Sequence, residues 1–428
     1  MTATMTTILC VWAACLFLGP PIWLTMALAA TAFVFLQHID PIIIVQQEVS
    51  AANSFTFVAA PLFILMGHVM NNAGVTQRIF GFATTIVGWL RGGLCHANVI
   101  ASMIFAGMSG SAVAEAGGLG VVEIRAMRDA KYPIGMAAGL TAAAATIGPI
   151  IPPSLPMVVY GAAAEVSVGK LFIAGVIPGV LMGLALMVLC SVMARRLDLP
   201  KGDFPTPAEL WRKFREAFWA LMTPVVLLGG MLSGVFTPTE AAAVATLYAL
   251  ILGLFVYRSF SLARLPRLIL DTVETTGVVM TLVMVAKLLG WCLAISRIPQ
   301  ITGQALTAWS ANPLVYLLIV NMLLLFVGCF MEGIAAMLIL IPILVPVAMK
   351  LGIDPIHFGL VFVLNLMIGT VTPPVGVVLY VVSNIARISF ERMSRAIVPF
   401  LIPLLVVLAA ITLWPPLTTW LPSILIGK

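Results

Sequence analysis

The chain has 428 residues, of which 62% are hydrophobic and only 9% charged, and its net charge is +6. A soluble domain covers its surface with roughly 25% charged residues, so this composition excludes a water-soluble fold and calls for lipid as solvent. The apolar stretches run continuously instead of alternating every second residue, which excludes a β-barrel, and the length admits about ten to twelve helical crossings.

The first 30 residues hold no Lys or Arg, so the charged start of a cleaved signal peptide is missing and Thr4 to Gly19 reads as a retained, somewhat short span. Apolar spans follow near 22–36, 56–73, 134–164, 171–193, 219–233, 239–256, 269–295, 356–385 and 396–414. Two further segments, about 95–125 and 313–349, are apolar but interrupted by glycine in mid-course. The one long polar stretch, 195–217, carries six basic residues and reads as a cytoplasmic linker with an amphipathic helix from Ala208 to Ala217. The six cysteines form no C-x-x-C pair and the four histidines lack metal-ligand spacing. Neither an H-E-x-x-H helix nor a G-x-S-x-G elbow occurs, so no hydrolytic enzyme is expected. The positive charge lies in loops and does not indicate nucleic acid.

The chain aligns on itself at one spacing. Gly107 and Gly328, Gly148 and Gly369, Pro152 and Pro373, and Pro153 and Pro374 are each 221 residues apart. This divides the chain into a first repeat, 1–194, with a hairpin near 95–125 and a broken helix over 134–164; the linker, 195–218; and a second repeat, 219–428, with a hairpin near 313–349 and a broken helix over 356–385. Five spans plus one interrupted segment per repeat would invert the second copy. Basic residues agree: Arg91, Arg125, Arg128 and Lys131 flank the first interrupted segment, while Arg258, Arg264 and Arg267, and Arg387, Arg392 and Arg395, mark other cytoplasmic loops. The loop Gln37 to Ser54 has no Lys or Arg and is placed outside, and both termini then face the periplasm. The expected fold is an all-α polytopic membrane protein of two inverted-topology repeats, the mark of a secondary transporter.

Glycine and serine at the middle of the first interrupted segment open the helix, and such backbone survives at membrane depth only inside protein or beside water. The expected shape is a re-entrant hairpin with its tip near Ser109 to Ser111. Three prolines between Pro149 and Pro153 must unwind the partner span, because proline lacks the amide and clashes with the carbonyl four residues back. The second repeat has the same pair, Gly328 to Gly333 and Ile368 to Gly376. Two sodium sites follow, one per repeat, between hairpin tip and unwound stretch. The first draws on Ser109, Gly148, Ile151 and Pro153, mostly through main-chain oxygens; the second draws on Gly328, Gly369, Thr372 and Pro374, with Thr370 nearby. Half-helix N-termini at the breaks favour an acidic substrate.

Several polar residues inside the apolar spans keep two readings each. Glu332, aligned with Ser111, either assists a cation or caps the outgoing half-helix; Glu115 reads as structural. Lys287 is a candidate contact for a substrate carboxylate or a partner subunit, and Asn365 bonds either in the cleft or between helices.

At this point the sequence resembles the large membrane subunit of tripartite ATP-independent periplasmic (TRAP) transporters over essentially its whole length. The resemblance is carried by Gly92-Gly-Leu with His96-Ala-Asn98, by 101–114, by Thr146-Ile-Gly-Pro-Ile-Ile-Pro-Pro153, by Phe236-Thr-Pro-Thr-Glu240, by 352–359 and by 365–376. It implies a sodium-driven importer in the bacterial inner membrane, with an elevator-type mechanism. The substrate would be an organic acid such as a dicarboxylate, a sialic acid or a sugar acid, handed over by a soluble periplasmic binding protein. A small four-helix membrane subunit would be a separate chain. Two positions depart from the family pattern: Met331-Glu-Gly-Ile stands where many relatives have Asp-Pro-Thr, and Glu115 where Asp is common. The alternative is a stand-alone sodium/carboxylate symporter of related fold, but its Ser-Asn-Thr type of tip is absent from both hairpins, Ser383-Asn-Ile385 lying elsewhere. No catalytic dyad for an intramembrane protease is visible.

Overall fold

The computed structural model describes residues 4, 6–8, 10, 12, 19–309 and 312–426, so the first span and Cys15 fall largely outside it. The described residues form α-helices and short turns, with no β-strand among them. Lipid offers no partner to backbone amides and carbonyls, so helices that bond internally are what this composition permits.

From residue 19 onward, the described residues begin with four helices: α1 (Ile22–Leu36), α2 (Ile42–Ala52), α3 (Ala59–Asn72) and α4 (Val75–Val87). The first interrupted segment is a helical hairpin, α5 (Gly93–Ser109) and α6 (Ala112–Asp129). The proline-rich span is broken into α7 (Ile134–Ala145) and α8 (Leu155–Ala163), and α9 (Val168–Arg196) runs to the linker. Then come α10 (Pro207–Leu232), α11 (Pro238–Ile251), α12 (Leu265–Ile295) and α13 (Ile298–Trp309). The second hairpin is α14 (Pro313–Phe330) with α15 (Gly333–Lys350), the second broken helix α16 (Pro355–Gly369) with α17 (Val377–Ala386), and α18 (Phe390–Leu413) and α19 (Pro416–Leu425) follow. Eight helical stretches among the described residues are long and apolar enough to cross a membrane. Helix bounds keep the 221-residue spacing: α6 covers 112–129 and α15 333–350, while α7 opens at Ile134 and α16 at Pro355.

The structure differs from the sequence reading at two kinds of place. Helices α2, α4, α13 and α19 were not expected; Gln46-Gln-Glu48 in α2 and Thr76-Gln-Arg78 in α4 interrupt runs too short to register as spans. The linker helix is also not a separate element. It is the first half of α10, continuous with the span after it, because no helix breaker stands between Ala217 and Met222.

Helix starts are set by a recurring pair, a capping residue followed by proline. Thr206, Thr237, Asn312 and Asp354 each accept a backbone N–H through the side chain, and Pro207, Pro238, Pro313 and Pro355 take the first helical position, where the missing amide costs nothing. Thr237 and Glu240 complete a reciprocal capping box. The centre of the molecule is the two broken helices. Every residue of α16 from Ile356 to Gly369 is buried, as is α7 from Met136 to Ala145. Alanine and glycine let α7 approach closely: Gly139 leaves no room for a Cβ beside the Phe400 ring and the Ala396 backbone of α18. Around this centre, α12 lies along α1, α2, α3 and α15, and α10 along α4 and α11. Leu28, Phe35, Val188, Phe255 and Ile402 point outward, as a lipid-facing surface requires.

The cap that starts α16 is the most heavily used, since Asp354 accepts from both Ile356 N and His357 N, at 2.8 and 2.9 Å. Asp354→Ala is expected to cost about 1 kcal/mol, seen as a lower melting temperature of the purified protein.

Candidate functional site

Each hairpin tip is docked on the break of its own repeat. In the first, α5 ends at Ser109, Gly110 turns the chain with a φ of +61°, and Ser111 caps α6 by accepting from Ala114 N. Gly110 lies so close to the Pro153 carbonyl that no Cβ fits between them, and its own carbonyl accepts from Leu155 N at 3.4 Å. In the second, Met331 and Glu332 form the tip. Val375 N and Gly376 N, both in the break, donate to the Cys329 carbonyl at 3.2 and 3.4 Å. Gly328 and Gly369 meet backbone to backbone: a Cβ on Gly369 would stand 2.6 Å from Gly328 Cα.

The breaks leave oxygens without helical duties. Tight turns at Thr146, Ile147 and Gly148 end α7, the Pro152–Pro153 bond is cis, and Ser154 caps α8. Among the described residues, the carbonyls of Gly148, Ile151 and Pro153 accept no backbone hydrogen bond. The Ser109 hydroxyl is buried without a partner. In the second break, Pro373–Pro374 is cis and the Pro374 carbonyl accepts no backbone bond. The Thr372 hydroxyl donates to the Ile368 carbonyl at 2.7 Å, which leaves its lone pairs to accept or to ligate. Gly369 O accepts from Thr372 N at 2.9 Å, and Thr370 Oγ1 donates to Met367 O at 2.7 Å.

Ser111 and Glu332, 221 residues apart, line one cavity of about 820 Å³. Its walls are the first turns of α6 and α15 together with Trp23, His68, Leu155 and Glu274. Glu332 is the N-cap of α15, accepting from Ala335 N at 2.9 Å. Two half-helix N-termini therefore border the same space, one capped by a neutral hydroxyl and one by a carboxylate. Sequence reasoning missed His68, Glu274 and Trp23; His68 and Glu274 are polar residues within apolar runs, a visible signal, whereas Trp23 carries none. Asn365 lies elsewhere, inside the helix packing: it donates to Asn321 O and Oδ1, at 3.0 and 2.7 Å, and Asn321 donates to Thr412. Lys287 is apart from both tips, in a second cavity of about 440 Å³ with Gln47, Glu165 and Trp291.

The family model described as the tripartite ATP-independent periplasmic transporter, DctM component, matches residues 9–417. The chain belongs to this family. It is 47% identical to the sialic acid TRAP transporter large permease protein of Vibrio cholerae, over 97% of this chain and 98% of that protein. It is 44% identical to the C4-dicarboxylate TRAP transporter large permease protein of Pseudomonas aeruginosa, over 86% of each. It is 38% identical to the 2,3-diketo-L-gulonate TRAP transporter large permease protein of Escherichia coli, over 94% of each. Its fold is similar to that of the Alcanivorax borkumensis YdaH transporter, with a TM-score of 0.66 at 15% identity over 88% of each chain. The protein is thus a TRAP transporter large permease, a multi-span membrane protein and not an enzyme.

The contact between Gly328 and Gly369 tests how much the tip–break fit matters. Gly369→Ala forces the two backbones apart at a cost of about 1–3 kcal/mol. The expected outcome is a protein that still inserts in the membrane, by fractionation and immunoblot, but no longer supports uptake.

Proposed function

We propose that this chain is the transport subunit of a sodium-driven importer of an organic acid in the bacterial inner membrane. The observation that carries the reading is the pair of tip–break junctions, each lined by backbone oxygens that serve no helix. Hard oxygen donors suit a small hard cation. The first sodium would sit among Ser109, Gly148, Ile151 and Pro153, and the second among Gly328, Gly369, Thr372 and Pro374. The buried, unpartnered Ser109 hydroxyl supports the first site, and the free lone pairs of Thr372 support the second.

The cavity between the tips is the place for the substrate. The first turns of α6 and α15 border it, and α6 begins on a neutral cap, Ser111, whose helix N-terminus favours a carboxylate. Sialic acid, a dicarboxylate and a diketo sugar acid in the names of the relatives are all anionic, and the substrate here is proposed to be of that class. A small membrane subunit and a periplasmic binding protein would complete the system. The matched helix bounds support two inverted repeats, with both termini periplasmic, in which hairpins and broken helices slide as one body against α10–α12.

In proteoliposomes, uptake should require a sodium gradient and the binding protein; uptake undiminished in potassium would end the coupling proposal, and uptake without the binding protein would indicate a stand-alone symporter. Thr372→Val keeps the side-chain shape and removes the hydroxyl. It should raise the sodium concentration for half-maximal uptake by about tenfold, the effect of losing one ligand bond of roughly 1.4 kcal/mol.

A further inference from the structure

Two cavities lie in a row along α12. Thr275, Val279, Leu282, Ala286 and Gly290 follow one another at steps of three or four residues, which places them on one face of the helix. The first three line the cavity of about 820 Å³ between the tips, and the last two line the cavity of about 440 Å³ that holds Lys287. Helix α15 faces this row in the same way, with Ile334 and Ala335 in the first cavity and Leu338 and Pro342 in the second. Leu155 and Ala162 of α8 divide likewise. One seam, with α12 on one side and hairpin and broken helix on the other, therefore contains both spaces.

The two spaces differ in charge. The one between the tips is lined by Glu274 and Glu332 and by no Lys or Arg. The other is lined by Lys287, with Gln47, Ser50, Ser54 and Trp291 as further donors and Glu165 as its one carboxylate. Lys287 stands eight residues before the end of the apolar α12, about 12 Å along its axis. It forms no ion pair among the described residues, with Glu165 or with any other. A lysine at that depth is costly unless water or an anion meets it. It lies in the half of α12 away from Arg264 and Arg267, and Gln47, Ser50 and Ser54 belong to the stretch without Lys or Arg. On the topology above, this second cavity is on the periplasmic side.

We propose that this cavity is an outer subsite for the transported acid, where Lys287 holds one carboxylate and Glu165 accepts from a hydroxyl or amide group of the same molecule. The inference rests on the importer and topology readings above and adds to them a place that the substrate occupies before it reaches the tips. A cavity of this volume suits a small organic molecule held by a few convergent polar groups. One lysine balances one carboxylate, and a second carboxylate would meet the like charge of Glu165. An acid with one carboxylate and several hydroxyl groups therefore fits better than a dicarboxylate. At the inner end of the seam Glu274 and Glu332 repel the same anion, which weakens its hold there and eases release.

The test reads the charge of the cavity with a reporter thiol. Ser50→Cys is placed in the chain with and without Lys287→Gln, and both proteins are reconstituted in oriented proteoliposomes. Its reaction with the anionic 2-sulfonatoethyl and the cationic 2-(trimethylammonio)ethyl methanethiosulfonates is timed, with reaction at the native cysteines subtracted. Lys287 should raise the ratio of anionic to cationic rate by at least about tenfold over Lys287→Gln, since one charge acts on the two reagents in opposite directions. Gluconate should slow the labelling at a lower concentration than succinate, and only with Lys287 present. In sodium-driven uptake, Lys287→Gln should raise the KM for loaded binding protein with kcat little changed, and Lys287→Arg should restore it. A rate ratio that Lys287→Gln leaves unchanged overturns the subsite. So does a ratio that depends on Lys287 while the KM does not, because the anion would then lie off the substrate's route. Equal protection by succinate overturns the assignment of a single carboxylate. Labelling from the cytoplasmic face alone overturns the topology. The expected labelling without any sodium-driven uptake in wild type overturns the importer reading and spares the subsite. If Lys287→Gln does not insert, Lys287→His takes its place: the rate ratio should fall from about pH 5.5 to about pH 8 as the imidazole loses its charge, and a flat ratio overturns the subsite.

Discussion

Everything in this structure follows from where unpaired backbone can be tolerated. Hydrocarbon offers no hydrogen bonds, so a helix that breaks at membrane depth must find other partners for the groups it releases. Here the partners come from the hairpin tips: Gly110 closes on the first break and the Cys329 carbonyl takes two amides of the second. What is left over is a small set of carbonyl and hydroxyl oxygens, concentrated at two points. The same shortage of partners that makes a break costly thus leaves oxygens at it that are free to take a ligand.

Close approach is the second half of the arrangement. Glycine at 110, 328 and 369 lets backbone meet backbone, and alanine-rich α7 packs tightly on α18. Between the tips, the first turns of α6 and α15 converge on one cavity. The tip–break junctions and the cavity therefore share structural parts, because the residues that end one hairpin helix are adjacent to those that begin the next. Coupling between an ion and a substrate needs such shared elements, whose equilibrium both can bias.

Much of this was legible in the sequence, for physical reasons that can be named. Proline at 149, 152 and 153 and at 373 and 374 forbids a continuous helix whatever surrounds it, and the 221-residue spacing tied the two breaks together. The N-cap role of Glu332 was one of two readings, and the position of Asn365 between helices another; choosing required knowing what lay opposite. Helices α2 and α4 escaped notice because polar residues cut their apolar runs below the length of a span. The contact of Glu115 with Gly148 was invisible for a different reason. It joins residues 33 positions apart, on separate elements, and no local pattern announces it.

The unbroken α10 has a mechanical consequence. A 26-residue helix is a rod of about 39 Å, and this one carries Arg212, Lys213 and Arg215 with Trp211 near one end and an uninterrupted apolar run at the other. In a bilayer such a basic and aromatic collar would sit at the headgroups and resist displacement in either direction. The Pro224 ring on this rod abuts Gly107 of the first hairpin. Gly107 presents bare backbone to the ring, so hairpin and rod meet closely at this point without interlocking side chains.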